Sequence, residues 1–157
     1  MHDPHIAPRV PEPGVPVAGV DPIDSPETAR RLIHEVLAVP ERPETVAILL
    51  DDHRRGIAVL SVDATVADDA VLDVADRLAE LARHLTAIAG IVLVTVRPDR
   101  STVLDDLDRW IEIDGRFDEV GVELLEWFVI GRDVSCPRTL LGQPARWGRR
   151  RVRRRDP

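Results

Sequence analysis

Four short runs of apolar residues are separated by longer stretches with helical spacing. The runs cover residues 46–50, 57–62, 91–96 and 122–130, and a polar turn joins the first two into a hairpin. Their length and their content of valine, isoleucine and leucine predict β-strands that are buried on both faces. The resulting order α, β, β, α, β, α, β favours an α/β fold in which helices cover both faces of one sheet.

Three segments have apolar residues at the spacing of an amphipathic helix. The first begins at Ser25, which can cap open amides, and ends near residue 39 because Pro40 and Pro43 follow. The second covers about residues 68–86, and the third covers about residues 102–113. In the third helix the spacing predicts four inward-facing side chains, namely Leu104, Leu107, Trp110 and Ile111.

A chain of 157 residues can bury one ordinary core, so we expect one domain with extensions. Residues 1–24 contain six of the thirteen prolines and few large apolar side chains, which predicts a disordered arm. The remaining divisions are a helix with a linker at 25–43, a globular domain at 44–142 and an arginine-rich tail at 143–157.

The charge of the chain is unevenly distributed. The net charge is -7, yet residues 146–157 contain seven arginines and a single aspartate. We interpret this tail as a solvated segment lying against its own acidic body. The alternative is weak, salt-sensitive contact with nucleic acid. The tail residues proposed for that contact are Arg149, Arg150, Arg151, Arg153, Arg154 and Arg155.

The single cysteine, Cys136, excludes an internal disulfide and a multi-cysteine metal site, and it fits a reducing compartment. Because no histidine is close to it in sequence, we interpret Cys136 as a buried or boundary thiol rather than a nucleophile. The longest apolar run, residues 87–94, is far shorter than the roughly 20 residues that span a bilayer. The first residues also lack the regions of a signal peptide. We therefore expect a soluble, cytoplasmic protein with no membrane partner.

Common enzyme signatures are absent from the sequence. It contains no glycine-rich phosphate loop, no Gly-x-Ser-x-Gly elbow and no His-Glu-x-x-His pair. The histidines of the predicted domain, His53 and His84, are too far apart in sequence to form a local metal site.

The order of four other sequence motifs is more informative about the family of the chain. The first motif is Glu44 at the start of a strand that ends in Leu49-Leu50-Asp51, and the second is Val62-Asp63-Ala64-Thr65. The third is Ile91-Val92-Leu93-Val94, which leads to Arg97-Pro98. The fourth covers residues 120–131 and is followed by Val134-Ser135.

In this order of motifs, residues 44–142 resemble the RadC family, whose domain belongs to the JAMM/MPN metallo-isopeptidase superfamily. The resemblance implies a three-layer α/β/α sandwich of JAMM/MPN (cytidine-deaminase-like) type with disordered termini. The resemblance also implies an association with DNA repair, which is the historical label of the family. Since one fold hosts many functions, the resemblance implies a fold more firmly than an activity.

The resemblance further implies where intact relatives hold zinc. Two histidines of a His-x-His-Pro motif and an aspartate early in the next helix bind the metal, and an upstream glutamate acts as the general base. In this sequence Glu44 matches the glutamate, whereas Thr95 and Arg97 occupy the two histidine positions. Counting from different motifs leaves three candidates for the aspartate, namely Asp105, Asp106 and Asp108.

Threonine is a poor zinc ligand, and arginine has no lone pair to donate, so we expect neither metal nor a confident catalytic residue. The sequence then favours a catalytically inactive module, or pseudoenzyme, that binds or scaffolds a protein partner. Arg97 would replace the cation and pair with Glu44 or with one of the three aspartates, unless it faces solvent. Two alternatives stay open: a zinc-dependent hydrolase or isopeptidase with atypical ligands, and an accessory DNA-associated protein using the basic tail.

Overall fold

The computed structural model describes residues 14–149, and its centre is a mixed sheet of five strands. The strands are β1 (Glu44–Leu50), β2 (Gly56–Asp63), β3 (Gly90–Val96), β4 (Glu123–Ile130) and β5 (Val134–Ser135). Their spatial order is β2-β1-β3-β4-β5. β1 pairs antiparallel with β2 and β3, β3 runs parallel to β4, and β5 returns antiparallel on β4.

Helices lie on both faces of this sheet. They are α1 (Pro26–Val36), α2 (Ala70–His84), α3 (Asp106–Glu119) and the short α4 (Pro137–Leu140). Ala29 and Ile33 of α1 share one core with Val46 and Ile48 of β1. The apolar sides of α2 and α3 share a second core with Ala47 and Leu49, on the opposite face. The expected mixed α/β class is therefore confirmed. Within residues 14–149, no helix combines the length and apolar content needed to cross a membrane.

The prediction that β2 is buried on both faces is wrong. β2 lies at the edge of the sheet, and its four large apolar side chains are 38–43% exposed. A run of apolar residues has the same sequence pattern in a central strand and in an edge strand, because only the neighbours of the strand decide how much of it is covered. These four side chains are Ile57, Val59, Leu60 and Val62.

The predicted inner face of the third helix also needs correction. Leu104 precedes α3 and is 78% exposed, and Ile111 is 54% exposed. The buried face of α3 carries Trp110, Ile113 and Phe117, together with one buried aspartate in the first turn. The prediction of the inner face failed because it used the spacing of the apolar residues alone, and a polar residue, Asp106, takes one of the buried positions.

Part of the predicted disordered arm lies against the sheet. The backbone N–H of Gly19 donates to the Gly56 carbonyl at 3.0 Å, and that of Ile23 donates to the Arg54 carbonyl at 2.7 Å. The Ile23 side chain is buried in the core on the α1 side. One large apolar side chain thus anchors a segment whose composition suggested disorder. Residues 1–13 of the predicted arm lie outside the described residues.

Candidate functional site

The end of β3 carries a buried arginine that forms an ion pair with α3. β3 ends at Val96, and the side chain of the next residue, Arg97, is 3% exposed. Its Nη1 and Nη2 atoms donate to the two carboxylate oxygens of Asp106 at 2.6 and 2.9 Å. This is the bidentate geometry in which an arginine and a carboxylate bind most strongly. Of the partners considered from sequence, the structure selects Asp106.

Asp106 is the first residue of α3, and its side chain is completely buried. Besides Arg97, its oxygens accept the Val103 N–H at 2.9 Å and Nη1 of Arg109 at 3.0 Å. Desolvation by burial would raise the pKa of the Asp106 carboxyl. The positive charge of Arg97 and the hydrogen bonds from Arg97, Val103 and Arg109 outweigh this desolvation effect. The pKa of the Asp106 carboxyl therefore lies below its ordinary value. The carboxyl is therefore ionised at neutral pH.

Two further aspartates and two further arginines extend the pair of Arg97 and Asp106 into a cluster with three charges of each sign. Nε of Arg109 donates to Asp69 at 2.8 Å, and Nε of Arg97 lies 3.8 Å from Asp68. Arg100 also pairs with Asp68. The network joins β3, α3 and the segment before α2 through charge-assisted contacts. Sequence reasoning missed Arg109 and Asp68. Arg109 was detectable, because it follows Asp106 by three residues on one helix face.

An indole ring occupies the other side of the arginine. The Arg97 guanidinium carbon lies 6.0 Å from the centroid of the Trp127 ring, and Nε1 of Trp127 donates to the Thr95 hydroxyl at 2.9 Å. The Thr95 oxygen is thus already in use as an acceptor.

Glu44 does not join this cluster. It lies opposite Val96 in the antiparallel β1–β3 ladder, and opposite residues of such a pair point to the same face. Val96 belongs to the core on the α1 side, whereas Trp127 belongs to the core on the α2 and α3 side. The Glu44 carboxylate accepts the Ala38 N–H at 2.8 Å and the Ser61 hydroxyl at 3.0 Å. Glu44 and Arg97 therefore have their partners on opposite faces of the sheet.

The remaining candidate aspartates lie outside the pair. Asp105 and Asp108 are exposed on the first turn of α3 or just before it. Acidic residues at this end of a helix are stabilised by the helix dipole without any ligand. Only one of the three aspartates considered from sequence is therefore buried against Arg97.

The side chains at these positions do not fit a zinc ion. Zinc needs lone pairs at about 2.0 Å from imidazole, thiolate or carboxylate groups. Arg97 supplies none, Thr95 offers a neutral hydroxyl rather than one of these groups, and each Asp106 oxygen already accepts two hydrogen bonds. Within residues 14–149, no three His, Cys, Asp or Glu side chains are grouped as metal ligands. What the cluster provides is a neutralised, preorganised cross-link between a strand end and a helix start.

The described part of the C-terminal tail also lies on the body. Both terminal nitrogens of Arg146 donate to the Asp114 carboxylate, at 2.6 and 2.9 Å, and these hydrogen bonds raise the Arg146 pKa. Arg149 is exposed beside the same surface. The five other candidates of the tail, Arg150, Arg151, Arg153, Arg154 and Arg155, lie outside the described residues.

Cys136 lacks the environment of a nucleophile. Burial and the nearby negative charge of Glu126 raise the pKa of its thiol to about 12. Glu126 itself is buried and paired with Arg138, whose Nη2 donates to it at 2.7 Å. A thiol with so high a pKa carries almost no thiolate at neutral pH, and the thiolate is the reactive form.

The resemblance to a known family depends on the sequence motifs alone. The sequence matches no protein-family model and no curated protein. The relationship to RadC and JAMM/MPN domains therefore stays a prediction based on the order of the quoted motifs.

The lowered pKa of Asp106 predicts acid sensitivity. Its folded pKa lies below the unfolded value of about 3.9, so its ionised form stabilises the fold above that pH. This contribution is lost as the pH falls through the folded pKa. We expect the free energy of unfolding, measured by urea denaturation, to fall as the pH drops below about 4 toward the folded pKa. The variant Asp106→Asn should show a flatter profile, and an equally steep profile would contradict this origin.

Proposed function

We propose that this chain is a metal-free relative of the RadC and JAMM/MPN domains that acts as a non-catalytic binding or scaffold module. The observation that carries the proposal is the buried ion pair between Arg97 and Asp106. Arg97 occupies the position that the resemblance assigns to one histidine ligand, and Asp106 is one of the three candidates for the aspartate ligand. Support for the three-layer JAMM/MPN-type sandwich comes from the helices on both faces and from the antiparallel β1–β3 and parallel β3–β4 pairings.

Electrostatics supports the exclusion of zinc. A guanidinium about 4 Å from Zn²⁺ would repel it by about 8 kcal/mol at an effective dielectric constant of 20, twice the value for two unit charges. Binding would also require Asp106 to give up an arginine that already satisfies both of its oxygens. A metal-bound water, the nucleophile of this enzyme class, would then have no source here.

The position of Glu44 argues against catalysis by carboxylates alone. A general acid and a general base must both reach one substrate, within hydrogen-bond distance of the groups they serve. Glu44 and Asp106 have their partners on opposite faces of the sheet, and each carboxylate is already engaged by two or more donors. This arrangement favours structural roles for both acids.

Metal analysis of the purified full chain tests the proposal. After incubation with zinc and dialysis, we expect less than about 0.1 zinc per chain from elemental analysis. The matched variant Arg97→Met removes the guanidinium and leaves Asp106, so it shows whether the charge is what excludes the ion. Retention of about one zinc per wild-type chain, lost on Asp106→Asn, would overturn the proposal in favour of a zinc-dependent hydrolase or isopeptidase.

The other expectations about partners and location stay predictions. Weak nucleic-acid contact would depend on the arginines of the tail, and a salt-dependent affinity that disappears when residues 146–157 are deleted would support it. A cytoplasmic location rests on the single cysteine and the reducing compartment it fits.

A further inference from the structure

An apolar groove of about 590 Å³ lies between β2 and α2. Leu60 and Val62 of β2 line it on one side, and Val74, Leu78 and Leu81 of α2 line it on the other. Sites that bind small molecules have volumes of about 300–1,000 Å³, and most of their lining groups are apolar. The groove therefore has the size and the surface of a site for a small ligand.

The position of β2 at the edge of the sheet leaves this groove open. Leu60 lies opposite Ala47 in the antiparallel pair of β1 and β2, so both side chains point to the α2 side. Ala47 is 1% exposed in the core shared with α2, whereas Leu60 and Val62, farther out, are 38% and 40% exposed. β2 thus presents apolar surface beside α2 that its neighbours leave partly uncovered.

The loop that joins β2 to α2 closes one end of the groove. Ala64 and Thr65 of this loop line the groove together with Ala70, the first residue of α2. The Thr65 hydroxyl accepts a hydrogen bond from the Thr45 hydroxyl at 3.0 Å, and Thr65 is 7% exposed. Because the polar side chain at this end already has a partner, the closed end suits an apolar group of a ligand.

A positive charge lies at the rim of the groove. Arg77 and Asp73 both line it, and both are exposed. Since an α-helix turns about 100° per residue, Arg77 lies roughly 20° from Ala70 around α2, and Asp73 lies roughly 60° from it, farther toward solvent. Arg77 is therefore the nearer of the two charges to the groove. Within residues 14–149 it forms no ion pair, so its guanidinium is available to an anionic group.

The dimensions of the groove favour a single extended chain over a helix. The α2 wall from Ala70 to Leu81 is roughly 16 Å long, so the volume of about 590 Å³ corresponds to a cross-section of roughly 36 Å². An α-helix with its side chains is about 10–12 Å wide, and its cross-section is about twice as large or more. The groove thus fits a narrow apolar chain.

We propose that this groove binds a medium-chain carboxylate such as octanoate, with its apolar chain against β2 and its carboxylate at Arg77. The rise of α2 from Ala70 to Arg77 is roughly 10 Å, which matches an extended octanoate. Arginine binds a carboxylate through two parallel hydrogen bonds. No residue of the Arg97 cluster lines the groove, so this proposal and the proposed function can each fail without the other.

Calorimetric titration of the full chain with octanoate tests the site. We expect one octanoate to bind per chain. Hexanoate lacks two of the CH2 groups that would be buried, so its dissociation constant should be about tenfold higher. Octylamine has the same apolar chain with the opposite charge, and it should bind about tenfold more weakly than octanoate.

Two pairs of variants separate the head group from the apolar chain. Arg77→Gln should raise the dissociation constant of octanoate by about fivefold, because the pair is exposed, and should leave that of octanol unchanged. Arg31→Gln, at an exposed arginine of α1 without an ion pair in residues 14–149, should change neither. Leu60→Asp should abolish octanoate binding, whereas Leu104→Asp, at a position 78% exposed outside the groove, should not.

Three results would overturn the proposal. The first is octanoate binding that does not saturate at millimolar concentration. The second is an octanoate affinity that is the same in Arg77→Gln as in the wild-type chain. The third is an octanoate affinity that rises by tenfold or more when residues 1–13 are deleted, because the chain's own N-terminal segment would then be the occupant of the groove.

Discussion

Arg97→Ala is expected to lower the free energy of unfolding by about 3–5 kcal/mol. The truncation leaves the Asp106 carboxylate fully buried without its bidentate partner, and an uncompensated buried charge is costly. Urea denaturation followed by tryptophan fluorescence measures the loss, and Asp106→Asn should give a loss of similar size. A loss below about 0.5 kcal/mol would leave the buried pair without an energetic role.

Two controls separate the charge from the contacts around it. Replacing both partners at once, in Arg97→Met with Asp106→Leu, should recover most of the lost stability, because apolar pairs of similar volume often match a buried ion pair. Arg42→Ala removes an ion pair between two exposed side chains, since Arg42 is 60% exposed and its partner Asp63 is 62% exposed. Exposed pairs contribute little, so this variant should change stability by less than about 1 kcal/mol.

Gly131→Ala should be destabilising by about 3 kcal/mol or more. Gly131 is the first residue after β4, and its backbone lies close to the backbone of the loop that follows β3. A Cβ atom there would lie 1.6 Å from the carbonyl oxygen of Arg100 and 2.8 Å from that of Arg97. Both obstacles are backbone atoms, so relief requires the loop that carries Arg97 to move. Urea denaturation measures the effect on stability, and a nearly neutral Gly131→Ala would mean that the loop yields easily.

Gly115→Ala is the matched control for this substitution. Gly115 lies inside α3, and a Cβ atom there would meet nothing within 4 Å. Alanine is the better helix former, so this variant should gain about 0.5–1 kcal/mol. A gain at Gly115 with a loss at Gly131 would assign the cost to the close approach of two backbones rather than to the added methyl group.

The local elements of the fold follow closely from the sequence. The runs at residues 46–50 and 91–96 appear as β1 and β3 with extensions of one or two residues, and the second helix appears within its expected range. These segments could be predicted because hydrophobic periodicity and flanking prolines act over a few residues. The start of α3 was misplaced by four residues, since its first turn is set by buried Asp106 rather than by an apolar residue.

The candidate site could be predicted only in part. The sequence placed an arginine at the end of β3 and three aspartates near the start of the next helix, which made an ion pair one of its alternatives. It could not select Asp106, because the rotation of α3 about its axis decides which aspartate points inward. It also could not show that Glu44 points to the other face, since this depends on the register between β1 and β3.

The sequence by itself determined the order of the four long strands and of the three long helices, and it showed that neither Thr95 nor Arg97 carries a side chain of the kind that binds zinc well. Each of these depends on residue type or on spacing over a few positions. Only the tertiary structure decided that Asp106 neutralises Arg97 and that β2 lies at the edge of the sheet. Both outcomes depend on which distant segments become neighbours, and that is settled by packing across the whole chain rather than by any local pattern.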